Sequence, residues 1–445
     1  MTRLIYALLA CVSASACADD DPSSPEPVEA GPTYWQHVAP IVSQKCAGCH
    51  QDGGIAPFTL QSYEDVQSRA GLIADVTSRR IMPPYLMQTG DECGSFDESV
   101  ALTQEEIATL GAWARGDRAE GTAVPVAPRG LLGLDQGTDF QTPYFVPEVA
   151  GGMFAEHDEY RCFLLDPGLD ADTFVTGYEV LPGNAALVHH VLGMFVDPNA
   201  PADLSGQTNG ALMQALDDDS PDREGWPCFG MAGEGVATED VPLVWAPGQG
   251  VVEYPGGAGV RLRRDRRIVV QVHYNLENPG LHGQADQTTV RLRFSDAVQQ
   301  QAMFVTADQL LNSLFSDTPT PLEPGRGSVL YTWQETTEEL GMPPDETMQL
   351  LGLMPHMHER GRKFTFELGK NDAFACQGHV DAWDFHWQRL YMYRNPPTLD
   401  AATQLRVTCD YDTSGDTQPI FPGWGTQNEM CAAIMMLAYP PGVFF

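Results

Sequence analysis

The chain has 445 residues, of which 25 are Lys or Arg and 60 are Asp or Glu, so its formal net charge is -35. This acidic excess excludes a basic patch that would bind nucleic acid or an anionic membrane surface. A hydrophobic fraction of 43% is typical of a globular protein, and the length predicts about three domains. The 43 glycines and 34 prolines favour turn-rich β domains.

The N-terminus has the pattern of an export signal. A positive start precedes a short apolar stretch over 4–12, and small residues then lead to Cys17. The stretch is too short for a spanning helix and predicts a signal peptide over 1–17. Cys17 and the acidic run after it resemble a bacterial lipoprotein cleavage site, while ordinary cleavage beside Ala16 or Ala18 stays open. We expect an exported protein, periplasmic or an outer-membrane lipoprotein attached to the membrane only by a lipid, whose cysteines can oxidise.

Composition divides the next part of the chain into three segments. Residues 18–31 are acidic and rich in Pro and Ser, which predicts a linker. Residues 32–118 have a mostly helical pattern, and the clearest helix begins at a capping box formed by Thr103 and Glu106. Residues 119–130 have no periodic pattern and predict a second linker. We therefore expect a small all-α domain over 32–118.

The remaining chain has the pattern of β-strands. Short, β-branched and alternating runs are bounded by Gly and Pro, which is typical of antiparallel sandwiches. The clearest runs lie at 173–180, 267–274, 289–294, 363–368 and 404–409. The length suffices for two all-β, jelly-roll-like sandwich domains, which we place at 131–300 and 301–445.

Cys46, Cys49 and His50 form a C-x-x-C-H motif, the attachment motif of c-type haem. The two thiols bond the porphyrin vinyl groups, and the adjacent imidazole is then close enough to ligate iron. The alternative is a disulfide or redox C-x-x-C that happens to precede a histidine. For the second axial ligand we choose Met82, because a thioether raises the potential and suits electron transfer. Met87 is the alternative ligand, and Met82 can also be an ordinary core methionine.

Five further histidines form three clusters in the β region. His356 and His358 form an H-x-H, whose side chains share one face of a strand and can share one metal ion. The adjacent His189 and His190 would point to opposite faces of a regular strand, so a twist or bulge is needed for both to bind one ion. His273 is the third cluster, and imidazole suits Cu, Zn, Fe and Ni alike. The other histidines are taken as ordinary (His37, His157, His282) or left out as ambiguous (His379, His386).

The order of these clusters resembles a known family. H-H is followed by a Q-V-H-Y run at 271–274, then by the H-x-H, then by an N-E-M-C run at 428–431. This order resembles the copper type II monooxygenases, which include peptidylglycine α-hydroxylating and dopamine β-monooxygenases, over roughly 131–445. The W-D-F-H-W-Q run at 383–388 agrees with it. Residues 32–118, in turn, resemble a class I cytochrome c along their whole length.

The copper resemblance implies two metal sites that face each other across an open gap, each in its own sandwich. The implied ligands are His189, His190 and His273 for one copper, and His356, His358 and Met430 for the other. The thioether of Met430 favours Cu(I), the form that binds oxygen. The resemblance places Gln271 with Met430, His356 and His358 among the catalytic residues.

Six cysteines remain for disulfides once the signal, the lipid and the haem are assigned: Cys93, Cys162, Cys228, Cys376, Cys409 and Cys431. The family resemblance implies a bridge between Cys409 and Cys431. A bridge between Cys162 and Cys228 is a further expectation. Nothing in the sequence constrains the other two cysteines.

Together these features predict an exported, haem-fused dicopper monooxygenase that hydroxylates a C–H bond with O2. Two electrons come from outside, from ascorbate or a redox protein, and we expect the haem domain to relay them; mere docking to a partner is the alternative. The positions that bind a peptide carboxylate in the peptide enzyme hold Met354, Ala432 and Ile434, with Met435 and Met436 beyond, which favours a small neutral or apolar substrate. The competing classes are a non-catalytic electron-transfer or copper-handling protein and, more weakly, an interaction protein braced by metals.

Overall fold

The computed structural model describes residues 31–52, 56–97, 101–126, 134–149, 158–202, 206–228, 231–247, 249–313, 320–385, 387–423 and 427–439. The predicted signal peptide, nearly all of the predicted 18–31 linker, His157 and His386 lie outside these ranges. Within them, no helix combines the length and apolar character needed to cross a bilayer. The chain is mostly β-sheet with few helices, as predicted.

The helices of the first part of the chain form one packed unit. A π-helical turn, Tyr34–Val38, leads into α1 (Ala39–Lys45), which is followed by α2 (Tyr63–Ser68), α3 (Ala70–Ser78) and α4 (Gln104–Arg115). The predicted capping box is confirmed, because the Thr103 hydroxyl accepts from the Glu106 N–H and the Glu106 carboxylate accepts from the Thr103 N–H. The apolar faces pack around the buried Trp113. Residues 34–78 and 101–126 are called the helical unit below.

The segment after α4 has no regular structure, as its sequence predicts, but it packs back on the helical unit. The Tyr34 N–H and the Trp113 indole N–H both donate to the Ala119 carbonyl, at 2.8 and 3.0 Å. Val126 packs against the same core. The described part of the predicted linker therefore belongs to the helical unit.

Residues 85–97 leave the helical unit and pack against the C-terminal β region. Met87 forms a β-bridge with Val380, and Phe96 forms one with Tyr393. Phe96 and Met87 are buried among the side chains of that region. The predicted 32–118 domain is therefore not one continuous unit, because residues 85–97 pair with residues almost 300 positions later in the chain.

The β region forms three sheets. The strands of the first half are β1 (Gly137–Gln141), β2 (Asp158–Leu165), β3 (Thr173–Leu181), β4 (Val188–Val196), β5 (Trp226–Pro227), β6 (Asp240–Trp245), β7 (Val252–Glu253), β8 (Ala258–Leu262), β9 (Arg267–Asn275) and β10 (Thr289–Ser295). Those of the second half are β11 (Gln300–Ala307), β12 (Val329–Thr336), β13 (Thr347–His356), β14 (Gly361–Lys370), β15 (Ala373–Val380), β16 (Tyr391–Met392), β17 (Thr398–Asp400), β18 (Gln404–Tyr411) and β19 (Ala432–Tyr439). The helices between them are α5 (Asn209–Asp218), α6 (Gln309–Asn312) and the 3₁₀ turns Pro255–Gly257 and Pro279–Leu281. All five runs predicted as strands are confirmed.

A ten-stranded sheet runs through both halves, in the order β1-β10-β3-β8-β11-β19-β13-β16 with β7 beside β3 and β17 beside β13. A five-stranded sheet, β5-β2-β9-β4-β6, packs on its first half, and a four-stranded sheet, β12-β18-β14-β15, packs on its second half. Pairing is antiparallel except between β11 and β8. Since β11 also pairs with β19, the predicted boundary at 300 falls on the strand that joins the two sandwiches.

Candidate metal centres

A β-bulge brings the first histidine cluster to one side of its sheet. In the pairing of β4 with β9 the register shifts between Val188 and His190, so that His190 lies opposite His273 and His189 is the extra residue. An extra residue reorients the local side chains. The predicted bulge is therefore confirmed, and it lets adjacent histidines face the same partner strand.

The Nδ1 atoms of the three imidazoles converge. They lie 3.2 Å apart for His189 and His273, 3.1 Å for His273 and His190, and 3.4 Å for His190 and His189. Metal–nitrogen bonds of about 2.0 Å in tetrahedral directions separate two ligand atoms by about 3.3 Å. The three side chains thus fit a single metal ion with Nδ1 as the ligand atom.

The surroundings of His190 favour the state of its imidazole that binds metal. Burial, reinforced by the neighbouring imidazoles of His273, His189 and His356, holds the pKa of His190 well below its ordinary value. A lowered pKa favours the neutral ring, whose lone pair can bind a metal. On the far side of His273, Nε2 lies 3.3 Å from an Asp158 carboxylate oxygen, and the His273 ring stacks on Tyr160 with centroids 4.0 Å apart.

The second cluster lies where β13 ends beside the start of β19. His356 pairs with Ala432 in the sheet, and Met430 precedes β19 by two residues. Met357 is fully buried in the core of the second sandwich, so the H-x-H alternation turns His356 and His358 to the other side. The ring centroids of His356 and His358 lie 5.1 Å apart.

Polar contacts orient the H-x-H imidazoles. His356 Nδ1 lies 2.5 Å from the Gln388 side-chain oxygen, and His358 Nδ1 lies 3.1 Å from the Asn428 carbonyl. Since both Nδ1 atoms contact acceptors, each ring donates there and leaves Nε2 as its ligand atom. The buried Glu429 carboxylate accepts from the His358 N–H at 2.9 Å, and burial raises its pKa to about 8. Two imidazoles and the 2% exposed thioether of Met430 form a soft donor set that suits copper.

Residues of both clusters line one cavity of about 230 Å³: His189 and His190 from the first, and His356, His358 and Met430 from the second. Its other walls are mostly apolar and aromatic: Tyr160, Leu192, Met231, Val241, Val244, Trp245, Ala246, Thr306, Met354, Phe385 and Ile434, together with Gln271 and Gln388. No Asp, Glu, Lys or Arg is among the described residues that line it. The Phe385 ring lies between the clusters, with its centroid 6.4 Å from that of His189 and 6.0 Å from that of His358.

Not every predicted pocket residue reaches this cavity. Met354 and Ile434 line it, as expected. Met435 and Met436, which lie beyond this set in the sequence, are fully buried, one in each sandwich core. Their strand continues between two packed sheets, and alternation turns both side chains inward. Gln271 lines the cavity, while its amide nitrogen donates to the Met231 carbonyl at 2.7 Å.

The C-x-x-C-H residues follow directly after α1. His50 Nδ1 lies 3.0 Å from the Phe58 carbonyl, and its ring packs against Phe58 with centroids 4.7 Å apart. Burial lowers the pKa of His50. A ring that donates from Nδ1 to a carbonyl presents Nε2 as its ligand atom, which fits an axial ligand of iron.

The two candidates for the second axial ligand differ in their surroundings. Met82 is half-buried at the end of α3, where its N–H donates to the Val76 carbonyl at 3.3 Å. Met87 is 2% exposed and packs in the core of the second sandwich. The side chain of Met87 is therefore part of the core of the second sandwich, and Met82 stays the candidate for the second axial ligand.

Three disulfides are formed within the described residues. Cys409–Cys431 and Cys162–Cys228 are both present, as expected. The third, Cys93–Cys376, ties residues 85–97 to β15. Cys46 and Cys49 stand outside these three bridges. Disulfides are compatible with an exported protein.

The comparisons with known proteins agree with the copper chemistry of this site. Residues 328–442 match the family described as copper type II ascorbate-dependent monooxygenase, C-terminal domain. Tyramine beta-hydroxylase from Caenorhabditis briggsae is 26% identical over 263 residues, which cover 57% of this chain and 40% of the relative. The chain thus spans less than half of the curated relative that it matches. Both matches support a similarity to the copper type II monooxygenase family.

Solved structures resemble the chain only distantly. The major capsid protein P2 of bacteriophage PM2 has a TM-score of 0.24 and 8% identity, with 69% of this chain and 100% of that chain covered. The infectious bursal disease virus Gx strain structure has a TM-score of 0.16 and 9% identity, with 69% and 72% covered.

Sequence reasoning missed three residues that lie against the predicted ligand histidines. Asp158 lies 3.3 Å from His273 Nε2, but a single carboxylate carries no spacing signal. Glu429 belongs to the run noted at 428–431, yet only the structure places its carboxylate against the His358 N–H. Gln388 belongs to the run noted at 383–388, yet only the structure places it against His356.

Proposed function

We propose that this protein is an exported copper-dependent monooxygenase that hydroxylates a C–H bond of a small, neutral or apolar molecule with O2. The observation that carries the proposal is that residues of two copper-type donor sets line one apolar cavity. When bound, copper supplies one-electron redox chemistry and activates dioxygen. The substrate is expected to be uncharged, because a charged group would lose its hydration against walls that offer no ionic partner.

A different set of side chains holds each copper ion. His189, His190 and His273 hold one copper, and the bulge in β4 keeps their Nδ1 atoms in place. The second copper is held by His356, His358 and Met430, whose thioether stabilises the reduced state. Phe385 and the aliphatic walls exclude water and orient the substrate between the two sites.

We further propose that the C-x-x-C-H segment binds a covalent c-type haem, with Cys46 and Cys49 attached and His50 and Met82 as axial ligands. Electrons from ascorbate or a reduced redox protein enter there and pass on to the copper sites. The His50 to Phe58 hydrogen bond supports this proposal, because it fixes the ring nitrogen that faces away from the backbone.

The test is a screen of small-molecule extracts with isotopically labelled O2 and reduced, copper-loaded protein. The His358→Ala variant lacks one copper ligand, and the His282→Ala variant is the control for a histidine outside both clusters. Label found in a product of the unmodified and His282→Ala proteins, but not of His358→Ala, establishes hydroxylation. Absence of label from every extract favours the non-catalytic electron-transfer or copper-handling class.

A further inference from the structure

The Phe385 ring occupies space in the cavity that residues of both histidine clusters line. Its centroid lies 6.4 Å from that of His189 in the first cluster and 6.0 Å from that of His358 in the second. An aromatic ring in this place takes up room that a bound molecule would otherwise fill. Phe385 therefore limits how large a molecule can lie between the clusters.

Hydrogen bonds on both sides of Phe385 hold its loop against the second cluster. Before it in the chain, the Trp383 indole N–H donates to the His358 carbonyl at 3.1 Å, and Trp383 belongs to the core of the second sandwich. After it, the Gln388 side-chain oxygen lies 2.5 Å from His356 Nδ1, and the Gln388 amide nitrogen donates to the Phe385 carbonyl at 2.9 Å. The backbone that carries the ring is therefore fixed at two points.

The size of the cavity sets a limit on what fits beside this ring. An apolar cavity of about 150 Å³ can hold one benzene molecule, and this cavity has a volume of about 230 Å³. It therefore has room for one ring with a short substituent but not for two linked rings. Other lining residues, such as Leu192 and Val244, belong to paired strands of the five-stranded sheet, whereas Phe385 lies in the loop between β15 and β16.

We infer that Phe385 is a specificity-determining residue that sets the upper size of the substrate. Neutral molecules no larger than a single ring with a short substituent are accepted, and neutral molecules with two linked rings are rejected. This inference rests on the proposed function and narrows its substrate class. The physical reason is steric, because a larger molecule must displace a ring whose loop is held at both sides.

The test measures equilibrium binding to the full-length, copper-loaded protein by isothermal titration calorimetry, without O2. The probes are benzyl alcohol and biphenyl-4-ylmethanol, two neutral alcohols that differ by one benzene ring. A benzene ring is also what Phe385→Ala removes. We expect the parent to bind the larger probe at least about tenfold more weakly than the smaller one, and Phe385→Ala to bind the larger probe at least about tenfold more tightly than the parent does.

Two further variants complete the experiment. Phe385→Trp enlarges the side chain and should weaken the binding of benzyl alcohol about tenfold, so that the inference is also tested without making a larger cavity. Phe374→Ala is the matched control, because the half-buried Phe374 ring lies on β15 against the Arg406 guanidinium and is not among the described residues that line the cavity. It should bind both probes as the parent does.

Any of four results would overturn the inference: a parent that binds neither probe, a parent that binds both equally well, an unchanged affinity of Phe385→Ala for the larger probe, or the same gain in Phe374→Ala. The measurement needs no turnover. A protein that obeys this size limit but hydroxylates nothing therefore fails the proposed function alone. A labelled product with two linked rings, formed by the parent, fails this inference alone.

Discussion

Metal binding at the three-histidine site should depend on the positions of its three Nδ1 atoms. Removing His273 leaves two imidazoles on the β4 bulge, too few for the trigonal set of Nδ1 atoms. We predict that His273→Ala binds one copper per chain instead of two, with affinity at this site at least about 100-fold weaker. Metal analysis after dialysis measures the stoichiometry.

The control for this substitution is His282→Ala, because His282 Nε2 lies 3.0 Å from the Leu276 carbonyl and this residue belongs to neither cluster. It should retain two copper ions. Loss of both ions from His273→Ala would show that the two sites do not bind independently, contrary to this prediction.

The buried carboxyl group of Asp308 should make the stability of the folded chain depend on pH. Its carboxylate is 3% exposed and accepts from the Leu311 and Cys431 N–H groups, yet burial raises its pKa to about 6. Between the ordinary pKa of 3.8 and about 6, the folded chain keeps a proton that the unfolded chain has lost. The stability contributed by this proton is complete below that interval and is lost as the pH rises through it.

Asp308→Asn cannot titrate, so its free energy of unfolding relative to the parent should rise by about 2 kcal/mol from pH 4 to pH 7. Denaturant unfolding at several pH values measures the difference. The same substitution at the exposed Asp345 is the control. A difference for Asp308→Asn that is constant with pH would refute the assignment.

At the scale of elements, the Met430 site is held by two strands and the bridge between them. Cys409 of β18 is bonded to Cys431, the residue after Met430, across a separation of 22 residues. We predict that replacing both cysteines by Ser lowers the free energy of unfolding by about 3 kcal/mol and weakens Cu(I) binding at Met430. Chemical unfolding and Cu(I) titration measure the two effects.

Replacing Cys162 and Cys228 by Ser is the matched control, since that bridge lies in the first sandwich. The control should also lose stability but should keep Cu(I) binding at Met430. Equal loss of Cu(I) binding in both variants would mean that the Cys409–Cys431 bridge has no local role.

At the scale of the whole molecule, residues 85–97 hold the helical unit to the second sandwich. The backbone of Gly94 lies close to the backbone of Gln377. Gly94 has φ of 82°, and a Cβ on it would lie 2.3 Å from the Gln377 carbonyl oxygen. We predict that replacing Cys93 and Cys376 by Ala lowers the free energy of unfolding by about 2 to 5 kcal/mol and accelerates limited proteolysis between the helical unit and the β region.

Gly94→Ala tests the same contact without removing a thiol, because any side chain there meets backbone. It should accelerate proteolysis in the same place, whereas Gly90→Ala, with no atom within 4 Å of its added Cβ, should accelerate it less. Unchanged cleavage in both the Gly94→Ala and the double-Ala variants would show that other contacts hold the unit.

Local patterns determined much of this protein before any tertiary structure was considered. The capping box at Thr103, the five alternating strands and the need for a bulge at His189 depend on nearest neighbours along the chain, and the structure agrees with each. The identities of the donor residues are what the resemblance in motif order implies, and they stay a prediction. The haem attachment is still a prediction of this kind, since it depends on the C-x-x-C-H spacing and on the contact of His50 with Phe58.

Only the tertiary structure decided how these parts meet. The pairing of β11 with both β8 and β19 joins the sandwiches, residues 85–97 cross to β15, and Met435 and Met436 turn into the cores. The shared cavity and the contact of Gln388 with His356 arise in the same way. Each of these depends on pairing between residues far apart in sequence, where periodicity carries no information about partners. Only folding therefore brings residues of the two candidate metal sites to one cavity.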